Sequence, residues 1–284
     1  MNVDHELPIV FDCEGQELIG VIHNADANTH IGVLIVVGGP QYRVGSHRQF
    51  VLLARYLAKE GIPVMRFDYR GMGDSPGNTR DFNHIGKDIA SAINTFQMYN
   101  KAVQKIVIWG LCDAASAALF YAYEDERVTG LVLLNPWVRT EYGEANAYLK
   151  KYYKNRLVSR EFWQKILSGR FNVKQSLMSF VDILTKVISK KHNKQKQQSL
   201  PDRMLQGLKD YQGQILFILS GNDLTAEEFR NLINSSDSWK SELAIKAISF
   251  KEISDANHTF ASQKWRREVE EITYGWINDH MRVV

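Results

Sequence analysis

Cysteine is scarce in this 284-residue chain, with two present, Cys13 and Cys112. One disulfide is formally available, and a disulfide framework is excluded. The opening Met1-Asn-Val-Asp-His-Glu lacks the basic segment and apolar core of a secretory leader. A reducing, cytoplasmic setting with two free thiols is therefore the expectation. No apolar run approaches the roughly 18 residues that a membrane-spanning helix needs. There is no excess of one charge: 35 basic and 32 acidic residues leave a net charge of +3. That argues against a dedicated nucleic-acid binder, which carries a strong basic surplus. No His/Cys/Asp cluster has metal-ligand spacing, so no metal is expected. Gly71 and Gly73 lack the G-x-G-x-x-G spacing of a nucleotide loop, so no cofactor is expected either. No internal repeat is visible.

What is present is an alternation of strands and helices. Residues 8–13 and 17–23 flank Glu14-Gly15-Gln16 and predict a hairpin. Residues 31–37, Ile-Gly-Val-Leu-Ile-Val-Val, are a continuous aliphatic run, as for a strand buried on both faces of a parallel sheet. Further strands are predicted at 62–67, 104–109, 128–134, 214–220 and 246–253. Helices are predicted at 46–60, with Ser46 as N-cap, and at 83–98, 113–123, 225–234 and 262–280. Such alternation implies a doubly wound, mostly parallel sheet. From about 138 to 208 the pattern changes to aromatics and lysines at helical spacing, with one amphipathic helix over 176–189. This stretch reads as a helical cap inserted into a core made of residues 1–137 and 209–284. The basic run 190–199 within it reads as a solvated loop, with contact to an anionic partner as the alternative.

In doubly wound sheets, sites form at the carboxyl ends of the strands. Gly38–Arg43, Cys112, Asp223 and His258 each follow a predicted strand. The stretch Val107-Ile-Trp-Gly-Leu-Cys-Asp-Ala-Ala-Ser116 reads strand, tight turn, helix. Gly110 and Ala114 lie two residues either side of Cys112, where the turn is too sharp for large side chains. A nucleophilic thiol needs a base, and the base needs an orienting acid. Cys112, Asp223 and His258 supply these in the order nucleophile, acid, histidine. Asp255, three residues before His258, is the rival acid. The oxyanion hole is expected from the backbone N–H of Asp113 and a donor in Gly38-Gly39-Pro40-Gln41. Pro40 has no N–H, which leaves Gln41, with Gly39 second. Arg43 and His47 either line the substrate entrance or anchor the loop, and Trp137 is a further candidate for substrate contact.

Asp68-Tyr-Arg-Gly-Met-Gly-Asp-Ser75 resembles the D-x-R-G-x-G-x-S turn of many α/β-hydrolases, where it is a structural element. With Gly110–Ala114, Gly221-Asn-Asp223 and Asp255-Ala-Asn-His258, the resemblance to the α/β-hydrolase superfamily spans nearly the whole chain outside 138–208. It implies the α/β-hydrolase fold. More narrowly, Val36-Val-Gly-Gly-Pro-Gln-Tyr-Arg-Val-Gly-Ser-His-Arg-Gln-Phe50 resembles the exosortase A system-associated hydrolases of type 1. That implies a bacterial cytoplasmic hydrolase of poorly defined substrate. Cysteine in the elbow, where serine is usual, is similar to dienelactone hydrolases and polyhydroxyalkanoate synthases.

The expected chemistry is cleavage of a carboxylic ester or thioester through an acyl-thioester enzyme. A small-molecule or carrier-bound acyl group is the expected partner, and a homodimer is left open. An acyltransferase with the same three residues is the alternative. A non-catalytic binding protein is the third reading, and retention of Asp223 and His258 argues against it.

Overall fold

A computed structural model describes residues 6–26, 29–39, 41–138 and 198–281. The chain divides into one unit of Met1–Val138 with Arg203–Val284 and a second of Arg139–Asp202. In the second unit only residues 198–202 are described, so the expected helix at 176–189 and the basic run 190–197 lie outside the described residues.

The eight described strands are β1 (Glu6–Cys13), β2 (Gln16–His23), β3 (Ile31–Val36), β4 (Val64–Asp68), β5 (Lys105–Leu111), β6 (Val128–Leu134), β7 (Gln214–Ser220) and β8 (Ile248–Ile253). They form one sheet in the order β1-β2-β4-β3-β5-β6-β7-β8. β1 and β2 pair antiparallel, as do β2 and β4, and every later pairing is parallel. Glu14 and Gly15 turn the hairpin with φ of 53° and 79°, the left-handed pair that matches the twist of its strands.

The helices are α1 (Gln49–Lys59), α2 (Gly86–Tyr99), α3 (Asp113–Tyr121), α4 (Leu200–Asp210), α5 (Leu224–Ser235), α6 (Asp237–Ile245) and α7 (Gln263–Met281). The central strands bury both faces, which is why their sequences run aliphatic without alternation. On one face Val33, Ile35, Val107, Trp109, Leu216 and Ile218 join Phe50 and Leu57 of α1 and Trp276 and Ile277 of α7 in a single apolar cluster. Each such side chain contributes about 1.5–3 kcal/mol on burial.

Two local expectations differ from the structure. Ser46 does not cap α1. The chain first makes a short 3₁₀ turn over Ser46–Arg48, with His47 and Arg48 in left-handed backbone, and the helix starts at Gln49. α6 was hidden because its 237–245 segment has little apolar periodicity, and only Trp239 is buried. Its N-cap, Ser236, accepts from the Trp239 N–H.

The register positions the site. β3 and β5 lie side by side with Val36 opposite Gly110, so the two loops that follow them leave the sheet together. The chain's strand order reverses here, which opens a crevice between the two loops.

Candidate active site

Cys112 sits between β5 and α3 with φ 64° and ψ −123°. A side chain in this region is strained, and such strain persists only where the surroundings fix it. The surroundings are explicit. A Cβ at Gly110 would come within 2.8 Å of the Ala114 backbone, so residue 110 has to be glycine for the turn to close. The Cys112 N–H donates to the Leu134 carbonyl and the Cys112 carbonyl accepts from the Trp137 N–H, which ties the turn to the end of β6. The turn thereby presents Cys112, partly exposed, at the head of the sheet. Cys13 is buried on β1, and both thiols are free.

Asp223 and His258 reach the same place from the loops after β7 and β8. Asp223 caps α5, accepting the Ala226 N–H at 3.0 Å through Oδ2. The same oxygen lies 2.9 Å from His258 Nδ1. Burial raises the Asp223 carboxyl, but the hydrogen bond and charge of His258 and the helix N–H groups outweigh it, leaving it below the ordinary carboxylate range. The His258 imidazole is pushed up to about 10, first by the Asp223 hydrogen bond and then by a hydrogen bond from the Cys112 side. The ring thus stands between acid and thiol. Asp255 is exposed, and the ring's described hydrogen bond goes to Asp223.

The other expected residues fall into two groups. Arg43 is anchored: its guanidinium pairs with Asp68 and, at 2.7 Å, with Asp74, and its N–H donates to Asp68 at 2.6 Å. That is the anchoring alternative of the two expected. It has a physical cause, because Asp68 is fully buried and its charge needs compensation. His47 lies in the 3₁₀ turn before α1 with φ 53°. Trp137, half-buried, contacts the elbow through its backbone, donating its N–H to Cys112 and accepting the Ser116 hydroxyl at 2.7 Å. The Gln41 side chain accepts the Ser46 N–H at 3.2 Å. In the same loop it is the Gly39 N–H that points across to α3, where it donates to Asp113 Oδ1 at 2.6 Å.

Sequence reading missed Asn135. It is fully buried at the end of β6, with φ 43°. Its Nδ2 donates to Ser220 Oγ at 2.8 Å and to the His258 carbonyl at 3.1 Å, and its Oδ1 accepts the Ser220 N–H at 2.8 Å. Ser220 Oγ in turn donates to the Asn257 carbonyl at 2.9 Å. This network pins the His258 loop to the ends of β6 and β7. A polar residue closing an aliphatic strand was the signal available, and it reads equally as a turn former. Among the described residues no group of His, Cys, Asp and Glu could hold a metal ion. None of the described helices is long and apolar enough to cross a membrane.

The comparisons agree with this architecture. The family model described as serine aminopeptidase, S33 (Hydrolase_4) matches residues 31–200. Esterase Pf2001 of Pyrococcus furiosus superposes with a TM-score of 0.65 at 17% identity, covering 97% of this chain and 93% of that one. Est1E of Butyrivibrio proteoclasticus, a structure with ferulic acid bound, gives 0.63 at 13% identity, covering 97% of this chain and 100% of that one. Dienelactone hydrolase of Anabaena variabilis gives 0.61 at 14% identity, covering 98% of each chain. No curated protein matches. The sheet order, the elbow and the family match over more than half of the chain lead to one conclusion: the chain belongs to the serine aminopeptidase S33 family of hydrolases and has the α/β-hydrolase fold.

Proposed function

We propose that the protein cleaves a carboxylic ester or thioester with Cys112 as nucleophile, His258 as acid and base, and Asp223 as the orienting acid. The observation that carries this reading is the position of His258, hydrogen-bonded to Asp223 and facing the thiol of a strained elbow. The family's usual nucleophile is serine, and here the elbow holds a more acidic group. A thiol ionises far more readily than a hydroxyl, and His258 takes the Cys112 proton as attack begins.

The thiolate attacks the acyl carbonyl and the charge moves to the carbonyl oxygen. Collapse expels the alkoxide or thiolate leaving group, which takes its proton from His258. The acyl-thioester that forms carries no charge on sulfur. His258, neutral after protonating the leaving group, then deprotonates the attacking water, and collapse of the second intermediate returns the Cys112 sulfur as the leaving group. Asp223 stabilises the imidazolium in both halves of the cycle. Amides are poorer substrates, because the thiolate leaves the tetrahedral intermediate more easily than an amide nitrogen does.

The substrate class rests on support of another kind. The esterases and the dienelactone hydrolase that superpose on this chain support a small acyl ester. The Val36–Phe50 stretch supports a narrower place among exosortase A system-associated hydrolases of type 1, and two free thiols support a reducing, cytoplasmic setting. The aromatic sequence of 138–208 supports a cap that supplies an apolar acyl site. A cap that excluded water would favour transfer of the acyl group to an alcohol or amine, which is the acyltransferase alternative.

The test is intact-protein mass spectrometry after mixing with activated acyl esters and thioesters. Wild type is expected to carry one acyl adduct, absent from Cys112→Ala and slow to form in His258→Ala. Decay of the adduct in water alone identifies a hydrolase, and decay that requires an added alcohol or amine identifies a transferase. No adduct on wild type, together with ordinary alkylation of Cys112, defeats the proposal.

A further inference from the structure

We propose that the Asp113 side chain is the resting occupant of the oxyanion hole, and that the substrate's carbonyl oxygen has to displace its carboxylate before Cys112 can attack. The inference rests on the ester-cleaving reading above.

In this fold the hole is made from the amide after the nucleophile and an amide of the loop after β3. The Asp113 carboxylate holds the second of these and stands beside the first. Asp113 Oδ1 accepts the Gly39 N–H at 2.6 Å, and the amides of Ala114 and of Asp113 itself also face the carboxylate. A Cβ at Gly38 would lie 2.4 Å from the same Oδ1, so residue 38 must be glycine for the carboxylate to enter. The contact joins residues 74 positions apart, across the crevice where β3 and β5 lie side by side. A carboxylate oxygen resembles a tetrahedral oxyanion in charge and in hydrogen-bonding capacity, so the groups that hold one will hold the other.

The side chain is costly where it stands. It is largely removed from water, and burial raises its carboxyl above the ordinary range despite the amides and the nearby His258. The charged or titratable groups facing it are His258 from the loop after β8, Tyr69 from the turn after β4, and Cys112 itself. His258 as imidazolium favours the carboxylate. The developing oxyanion disfavours it. A negative charge in the hole therefore opposes attack until it is neutralised or moved.

The test compares wild type with Asp113→Asn and Asp113→Ala in two readouts. The first is kcat/KM for p-nitrophenyl acetate from pH 5 to 9. Both variants are expected to exceed wild type about tenfold at pH 8, with the advantage shrinking as falling pH protonates the wild-type carboxyl. The second is alkylation of Cys112 by iodoacetamide, which needs no ester. Its pH profile is expected to move lower when the charge is removed. Asp113→Asn keeps an acceptor for the Gly39 N–H, so it separates loss of charge from loss of the loop contact, and thermal melting confirms folding. If Asp113→Asn matches or trails wild type at every pH, with unchanged melting, the carboxylate merely fastens the loop and the proposal falls. If wild type and Cys112→Ala turn the ester over equally, the ester reading fails by itself. The alkylation arm then decides: a shifted profile upholds the charged occupant, and an unchanged one removes it.

Discussion

Two of the carboxylate–cation assemblies among the described residues differ in what they leave unsatisfied. In the Asp68–Ser75 turn, Asp68 takes the Arg43 N–H, its guanidinium and the Asp74 N–H, while Ser75 Oγ donates to the Asp68 carbonyl. Beside it Arg70 grips Asp88 with two nitrogens, each at 2.9 Å, and reaches Glu14 with a third. Asp68, Arg70 and Asp88 are all buried, and the cations are arginines, which do not release a proton. In the Asp223–His258 pair the cation is a histidine, a third of its side chain is exposed, and its far side faces a thiol. The first assembly is closed and holds a shape. The second leaves one nitrogen facing the thiol, as the proposed proton transfer requires. Closure, more than charge, separates structure from chemistry here.

The comparison can be broken most sharply at the thiol. Cys112→Ala is expected to lower ester turnover by about 10⁴-fold or more while melting stays near wild type. A retained rate in that variant would sink the triad. Next is Asp223→Asn, which preserves shape but offers the ring the wrong partner. Its expected cost is about 10³–10⁴ in kcat, measured under saturating substrate. A loss confined to KM would mean that Asp223 serves binding only.

On the closed side, Asp88→Asn leaves the Arg70 charge buried without its bidentate partner. Stability should fall by about 3–5 kcal/mol, read from urea denaturation, with kcat per folded molecule unchanged. A change in kcat at constant stability would show that the two assemblies are not separate. Asn135→Ala lies between the two, since it loosens the His258 loop without touching the ring. It should cost about 1–3 kcal/mol of stability from the orphaned groups and about tenfold in kcat, with both partly recovered in Asn135→Ser.

The smallest effects are titrations. His258 is held at about 10, first by Asp223 and then by Cys112. In Cys112→Ala, NMR titration of the ring should give a value lower than wild type but still above 6.5, because the larger contribution remains. The sign for stability follows from linkage. A raised histidine stabilises fully below its unfolded value near 6.5, and that stabilisation is lost as pH rises through about 10. Asp223, held below its unfolded value, stabilises above ordinary carboxylate titration and loses that as pH falls through its lower folded value. The melting difference between wild type and His258→Gln should therefore narrow from pH 6.5 to 10. A difference that stays flat over this window would show that the ring is not holding a proton.

The sequence by itself determined the strands and pointed to Asp223 and His258, which the structure places in hydrogen-bond contact. Aliphatic runs such as Ile31–Val36 and Val128–Leu134 can be buried on both faces, and nothing local competes with that. Gly110 and Ala114 marked the elbow because its curvature excludes larger side chains. Asp223 and His258 were legible from their places after strands. The 139–197 segment lies outside the described residues, and the expected cap stands as a proposal.

Only the tertiary structure decided which groups meet. The Gly39–Asp113 contact spans 74 residues and the Asn135–His258 contact spans 123. Neither can be read from spacing, because each depends on the register of parallel strands that pair through crossovers. Arg43 was ambiguous for the same reason: its partners, Asp68 and Asp74, lie 25 and 31 residues away, brought near when β3 and β4 pair. Local sequence sets what a segment can bury. The sheet's register sets which loop ends share a crevice, and here it brings the Gly39 amide to Asp113 beside Cys112.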